Sequence, residues 1–171
     1  MKNQWHYILE LVEEADSVNF YTIRIEGEKN TEFEKFLSTY MNNMEFERDL
    51  QIITRWMDRI GEKGALERYF RPEGKMRDHL SAIPIEVSKL RLYCLRISDH
   101  IVILGNGGFK PGNQRTYNTD KQLNACVEVL TEVDECIKIE VNRKTITING
   151  KIISGNLSLK PRRNIKKTTE K

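Results

Sequence analysis

The stretch that most constrains this chain is residues 90–104. Leu90-Arg91-Leu92-Tyr93-Cys94-Leu95-Arg96-Ile97 is apolar and aromatic, Ser98-Asp99-His100 supplies a turn, and Ile101-Val102-Ile103-Leu104 runs back. Two such runs joined by a short polar turn read as a β-hairpin. The return strand feeds Gly105-Asn106-Gly107-Gly108-Phe109-Lys110-Pro111-Gly112, a glycine-rich segment expected to break regular structure. It continues as a basic loop to Tyr117, and hairpin plus loop form the candidate working surface.

The flanking sequence sets what the hairpin pairs with. Residues 20–25 predict a strand that stops at Gly27, whereas residues 1–19 fit a strand or a short helix. Asn30 or Thr31 is placed to cap a helix, with Glu34 completing a capping box after Thr31. Phe33, Phe36, Leu37 and Tyr40 then come at helical spacing. A second helix is predicted over 43–60, with Phe46, Leu50, Ile53, Met57 and Ile60 as its apolar stripe and Gly61 and Gly64 at its end. Residues 66–71 predict a strand running into a turn at Pro72-Glu73-Gly74, and Ile83-Pro84-Ile85 an extended piece. Residues 120–138 predict a helix with Leu123, Val127, Leu130, Val133 and Ile137 on one face. Asn149-Gly150 between alternating runs is a strong hairpin signal. Residues 161–171 have little apolar content and are expected to be disordered.

This order implies the α+β class: an antiparallel β-sheet with N-terminal helices packed on one face, a C-terminal helix and an extra C-terminal β-hairpin. The expected division is a domain over 1–140 and an extension over 141–171 with a basic tail.

Bulk properties exclude several classes. The chain has 171 residues, 31% of them charged, and its mean hydropathy is −0.57. No apolar run approaches the ~20 residues of a membrane span, and the first residues have no apolar signal core. A cytoplasmic protein with no membrane association is expected. Cys94, Cys126 and Cys136 form no Cys-x-x-Cys pair and read as reduced, buried thiols. His6, His79 and His100 show no metal-ligand spacing, so neither a metal site nor a cofactor is expected. The charge is unevenly spread. Residues 1–47 hold 4 basic and 10 acidic side chains, residues 48–115 hold 13 and 8, and residues 141–171 hold 9 and 1. That asymmetry points to a polyanionic partner, although a charged tail is also simply solubilising.

The glycine-rich segment lacks the Gly-Lys-Ser/Thr ending of a nucleotide-binding loop and fits no dinucleotide fingerprint. Taken alone it reads as a turn or bulge. The residues just beyond the glycines are more specific: Lys110, Arg115 and Tyr117 combine cations that hold phosphate with a ring that stacks on an unpaired base. Arg91 and Arg96, five positions apart on one strand, fall on opposite faces of the sheet. A cation in so apolar a strand is either paired, for instance with Glu86, or used. His79 is an outside option for an acid or base.

In order and in local text the chain resembles the RelE/ParE toxins of toxin–antitoxin pairs. The resemblance covers about residues 20–138. It rests on the 90–104 hairpin, on Gly108-Phe109-Lys110 after it, and on Pro84 and Lys89 before it. The RelE and HigB branches cut messenger RNA in the ribosomal decoding site. The resemblance therefore implies a toxin acting as a ribosome-dependent mRNA endonuclease, with a cognate antitoxin, the ribosome and mRNA as partners. Arg91 looks like the arginine on the scissile phosphate, Lys110 and Arg115 like the cations that stabilise its charge, and Tyr117 like the residue that orients the base. Lys89 and Arg96 are expected to bind RNA. Cleavage would proceed by 2′-hydroxyl attack on the phosphate, with Lys89 or Lys110 as base. ParE relatives instead inhibit DNA gyrase, so a non-enzymatic binding protein on the same fold is the alternative. Pro111-Gly112, the 144–153 hairpin and the basic tail have no counterpart in the family.

Overall fold

Ile101, Val102, Ile103 and Leu104 are all fully buried. Neighbouring strand residues point to opposite faces, so this strand must be covered on both sides. The computed structural model, which describes residues 6–72, 79–84, 88–110 and 121–161, provides both covers. Strands β1 (Tyr7–Glu14) and β2 (Asn19–Ile25) come first. Helices α1 (Glu32–Tyr40) and α2 (Glu47–Lys63) come next, joined through a 3₁₀ turn at Met44–Phe46. Then come β3 (Arg71–Pro72), β4 (Leu80–Ile83), β5 (Leu90–Ser98) and β6 (Ile101–Phe109). Helix α3 (Lys121–Asn142) precedes β7 (Ile146–Asn149), β8 (Ile152–Gly155) and β9 (Ser158–Leu159).

The fold is α+β. The main sheet runs β3-β4-β5-β6-β2-β1-β9, and β7 and β8 form a separate pair. Val102 and Leu104 join Leu90, Leu92 and Cys94 in a core with Phe36, Ile53 and Ile60 of α1 and α2. Ile101 and Ile103 join Tyr93 and Leu95 in a second core with Leu130, Val133 and Ile137 of α3. At about 1.5–3 kcal/mol for each large side chain fully buried, the four residues of β6 alone weigh heavily in a net stability of about 5–15 kcal/mol.

The N-terminal helices α1 and α2 cover one face together and α3 covers the other. One expectation about the sheet is corrected here. The sheet is mixed rather than antiparallel, because β2 pairs in parallel with β6, Asn19 opposite Ile101 through Thr22 opposite Leu104. A tight hairpin forces antiparallel pairing, but β2 and β6 are separated by both N-terminal helices and are free to run the same way.

The glycine-rich segment brings another correction. Residues 105–109 do not break regular structure but continue β6 to Phe109; Pro111 and Gly112 lie outside the described residues. The register against β5 shifts between Leu92 and Cys94, which face Gly107 and Leu104, so a bulge absorbs one residue. A Cβ on Gly105 would come within 2.8 Å of Leu130 in α3, and one on Gly107 would collide with the Arg91 carbonyl. These glycines are there for close approach, not for a loop.

Local signals fared differently. Thr31 caps α1 with a full capping box: Glu34 N–H donates to Thr31 Oγ1 at 3.1 Å, and Thr31 N–H donates to Glu34 Oε1 at 2.9 Å. The ambiguous start is strand β1, zipped to β2 from Tyr7–Ile25 to Glu14–Asn19. Residues 66–71 are mostly not strand, since a 3₁₀ turn occupies Glu67–Tyr69. Helix α3 runs to Asn142, past the boundary expected at 140. The β7–β8 pair turns at Gly150-Lys151, one residue later than expected, with Asn149 already paired to Ile152; it docks through Tyr21, whose hydroxyl donates to Lys151 O and accepts from Ile153 N–H. Ile146, Ile153 and Leu159 thereby belong to the α3-side core. The tail beyond Pro161 lies outside the described residues.

This packing has two testable consequences. Gly107→Ala should lower stability by about 1–3 kcal/mol in chemical denaturation, since the backbone opposite it has to move. Glu34 is held below its usual carboxylate range by the Thr31 amide and then its hydroxyl. A lowered folded-state value adds stability above the unfolded value and loses it as pH falls through the folded one. Glu34→Gln should therefore flatten the acid side of the stability–pH curve below 4.5, while leaving the slope near neutrality unchanged.

Candidate functional site

The site is set by the far end of the β5–β6 ladder. Leu90 pairs with Phe109 and Arg91 with Gly108, and Lys110 N–H donates to Lys89 O at 2.7 Å. Asp49 of α2, itself buried, anchors the entrance to β5: its Oδ1 accepts from Ser88 Oγ at 2.8 Å and from Lys89 N–H at 2.9 Å.

Strand alternation then assigns faces. Leu90, Leu92 and Cys94 face α1 and α2, so Arg91 lies with Tyr93 and Leu95 on the α3 face. Gly108, opposite Arg91, also faces α3, since a Cβ there would approach Leu123 to 2.9 Å. Lys110, two residues on, falls on that same face, diagonal to Arg91. The structure thus brings Arg91, in β5, and Lys110, one residue past β6, to the same end of the β5–β6 ladder. Arg91 is half-buried and Lys110 is only 2% exposed. Lys89 is exposed beside them. Arg115 and Tyr117 lie outside the described residues.

Arg96 is elsewhere. It falls on the α2 face, as the spacing from Arg91 predicts. Its guanidinium donates to Ala65 O and Asp99 Oδ1 at 3.2 Å each and to Glu67 Oε1 at 3.0 Å. Three acceptors within the chain make it a clamp on the β5–β6 turn and the end of α2.

Two features were not singled out as site residues in the sequence. Phe109 is 39% exposed at the end of β6. It packs on Phe46 at 5.7 Å between ring centroids, and its N–H donates to the Tyr40 hydroxyl at 3.1 Å. Its position became visible only once β6 was known to extend that far. Asp134, buried in α3, accepts at 2.7 Å from His79 Nδ1 and lies 3.3 Å from Lys138 Nζ. A histidine oriented by a buried carboxylate suits proton transfer. It sits eleven helix positions beyond Leu123, about 16 Å along α3, so it is remote from Arg91 and Lys110.

Elsewhere, a cleft of about 340 Å³ is rimmed by Glu13, Glu14, Asp16, Asp58 and Glu62, a setting that repels anions. Among the described residues no cluster of histidine, cysteine and carboxylate groups could hold a metal ion, and no helix is long and apolar enough to cross a membrane. Cys94, Cys126 and Cys136 are buried thiols outside any disulfide.

No family model, curated protein or solved structure matches the chain.

Arg96→Ala should cost about 1–3 kcal/mol of stability, because its acceptors lose a charged donor. Thermal and chemical denaturation would register this. A folded variant with unchanged stability would show that the clamp contributes nothing.

Proposed function

We propose that this chain is the toxin of a toxin–antitoxin pair and acts on messenger RNA in the ribosome. The observation that supports the reading is the pairing of Arg91 with Gly108 followed by the Lys110 N–H to Lys89 O bond, which puts Arg91 and Lys110 two residue pairs apart at one end of the ladder. The observed order of β2, α1, α2, then β4 to β6 and α3 is also the order expected of a RelE/ParE-type fold.

In this reading Arg91 holds the scissile phosphate, and Lys110 offsets the negative charge that builds as the ribose 2′-hydroxyl attacks. Lys89, exposed at the mouth of the ladder, holds the strand by its backbone. Arg115 and Tyr117 retain the roles the resemblance gives them, as a second cation and a base-orienting ring. The cognate antitoxin, the ribosome and mRNA are the partners, and the chemistry calls for no cofactor.

The burial of Lys110 favours a second reading, a non-enzymatic binding protein on the same fold that inhibits gyrase or another target. Lys110 at 2% exposure gives an incoming phosphate little access to its ammonium group.

Induced expression separates the two. The endonuclease reading expects growth arrest with cleaved messenger RNA, relieved by Arg91→Ala and by Lys110→Ala at unchanged protein level. Loss of a phosphate-stabilising cation is expected to reduce cleavage by about 10²–10³-fold. Arrest with intact messenger RNA and DNA damage would establish the second reading. Full toxicity in both variants would show the site to be elsewhere.

A further inference from the structure

Helix α2 carries its exposed charges in two adjoining stripes, one basic and one acidic. At about 100° per residue, Arg48, Arg55, Arg59 and Lys63 fall within an arc of about 80°, and all four are exposed. Glu47, Asp58 and Glu62 occupy the adjoining arc of about 60°, the last two on the acidic cleft. The basic stripe borders Trp56, whose ring stands 5.8 Å from that of Tyr69 in the turn after the helix. The Arg59 guanidinium lies over Trp56 at 5.5 Å, and that of Arg68 lies over Tyr69 at 5.3 Å. Four side chains from two segments thus form a continuous Arg59–Trp56–Tyr69–Arg68 row.

The cations of this row are not spent on the chain's own carboxylates. Among the described residues Arg55, Arg59 and Arg68 make no ion pair, and Lys63 has only an exposed 3.7 Å contact with Glu62. The nearby Glu67 is taken by Arg96. Guanidinium groups resting on rings are also partly ordered in advance, which reduces what binding costs in side-chain entropy. Such planes accept stacked bases, while the stripe along α2 tracks a phosphate backbone. An acidic polypeptide would satisfy the charges, but its Asp and Glu side chains offer no aromatic plane to the rings and guanidinium faces.

We propose that this α2 surface is a binding site for single-stranded RNA, separate from the Arg91–Lys110 face. It lies on the helical layer across the sheet from those residues. Its readout is binding rather than cleavage, so its outcome does not depend on whether that face is catalytic.

The test is fluorescence anisotropy of the purified full chain with a labelled oligouridylate over a range of salt. The Arg59→Ala/Arg68→Ala variant should bind at least about tenfold more weakly. It should also lose roughly 0.7 from the log–log salt slope for each contact removed. Lysine at both positions should restore the slope but not the affinity, because an ammonium group does not stack. Arg143→Ala, on the far end of α3, should bind as the parent does. Thermal melts check folding, and Arg55→Glu, which touches neither ring, should weaken binding even if the double variant melts early. Unchanged affinity in folded Arg59→Ala/Arg68→Ala and Arg55→Glu proteins would overturn the proposal. So would binding of a duplex RNA, or of polyglutamate, as tightly as the single strand.

Discussion

Burial of β6 on both faces is the constraint on which the rest of the structure depends. Ile101 to Leu104 have no solvent-facing position, so one helical layer cannot satisfy them. Helices α1 and α2 take the even-numbered side and α3 takes the odd. The ladder to β5 continues past this apolar stretch only because glycines come next. With side chains at 105 and 107, α3 and the β5 backbone could not approach so closely. The same close approach carries the register out to Phe109 and Lys110, which is how a packing requirement comes to position two cations.

Much of this was legible in the sequence, and the failures have physical causes. The β5–β6 hairpin, the Thr31 capping box, α2, α3 and the β7–β8 pair, though not the exact place of its turn, all rest on local signals: periodicity, caps and turn residues. The parallel pairing of β2 with β6 is a long-range choice that no local pattern specifies. The glycine-rich segment misled because glycine has two uses, and composition does not distinguish a loop from a strand that another element approaches closely. The side on which α3 packs was also invisible, since an apolar stripe shows that a helix is buried but not against which face.

For the candidate site, the sequence identified Arg91 and Lys110, and the register adds that they share a face. Arg96, read as an RNA contact, is held by Glu67, Asp99 and a backbone carbonyl. Those acceptors come from the end of α2 and the hairpin turn, so their convergence is a property of the fold. The stripe on α2 shows the reverse situation. Its arginines contribute to the basic charge of the central segment, but their alignment with Trp56 and Tyr69 required the turn after the helix to be in place.

The register of Arg91 and Lys110 depends on residues 105–109 continuing β6 as ordered strand, with the Lys110 N–H bonded to Lys89 O just beyond it. Amide hydrogen exchange resolved to single residues tests it most directly. The Lys110 amide, bonded to Lys89 O, should exchange as slowly as the amides of the 101–104 core, near the limit set by global unfolding. Exchange of that amide at the rate of an open loop, while 101–104 stays protected, would contradict the account.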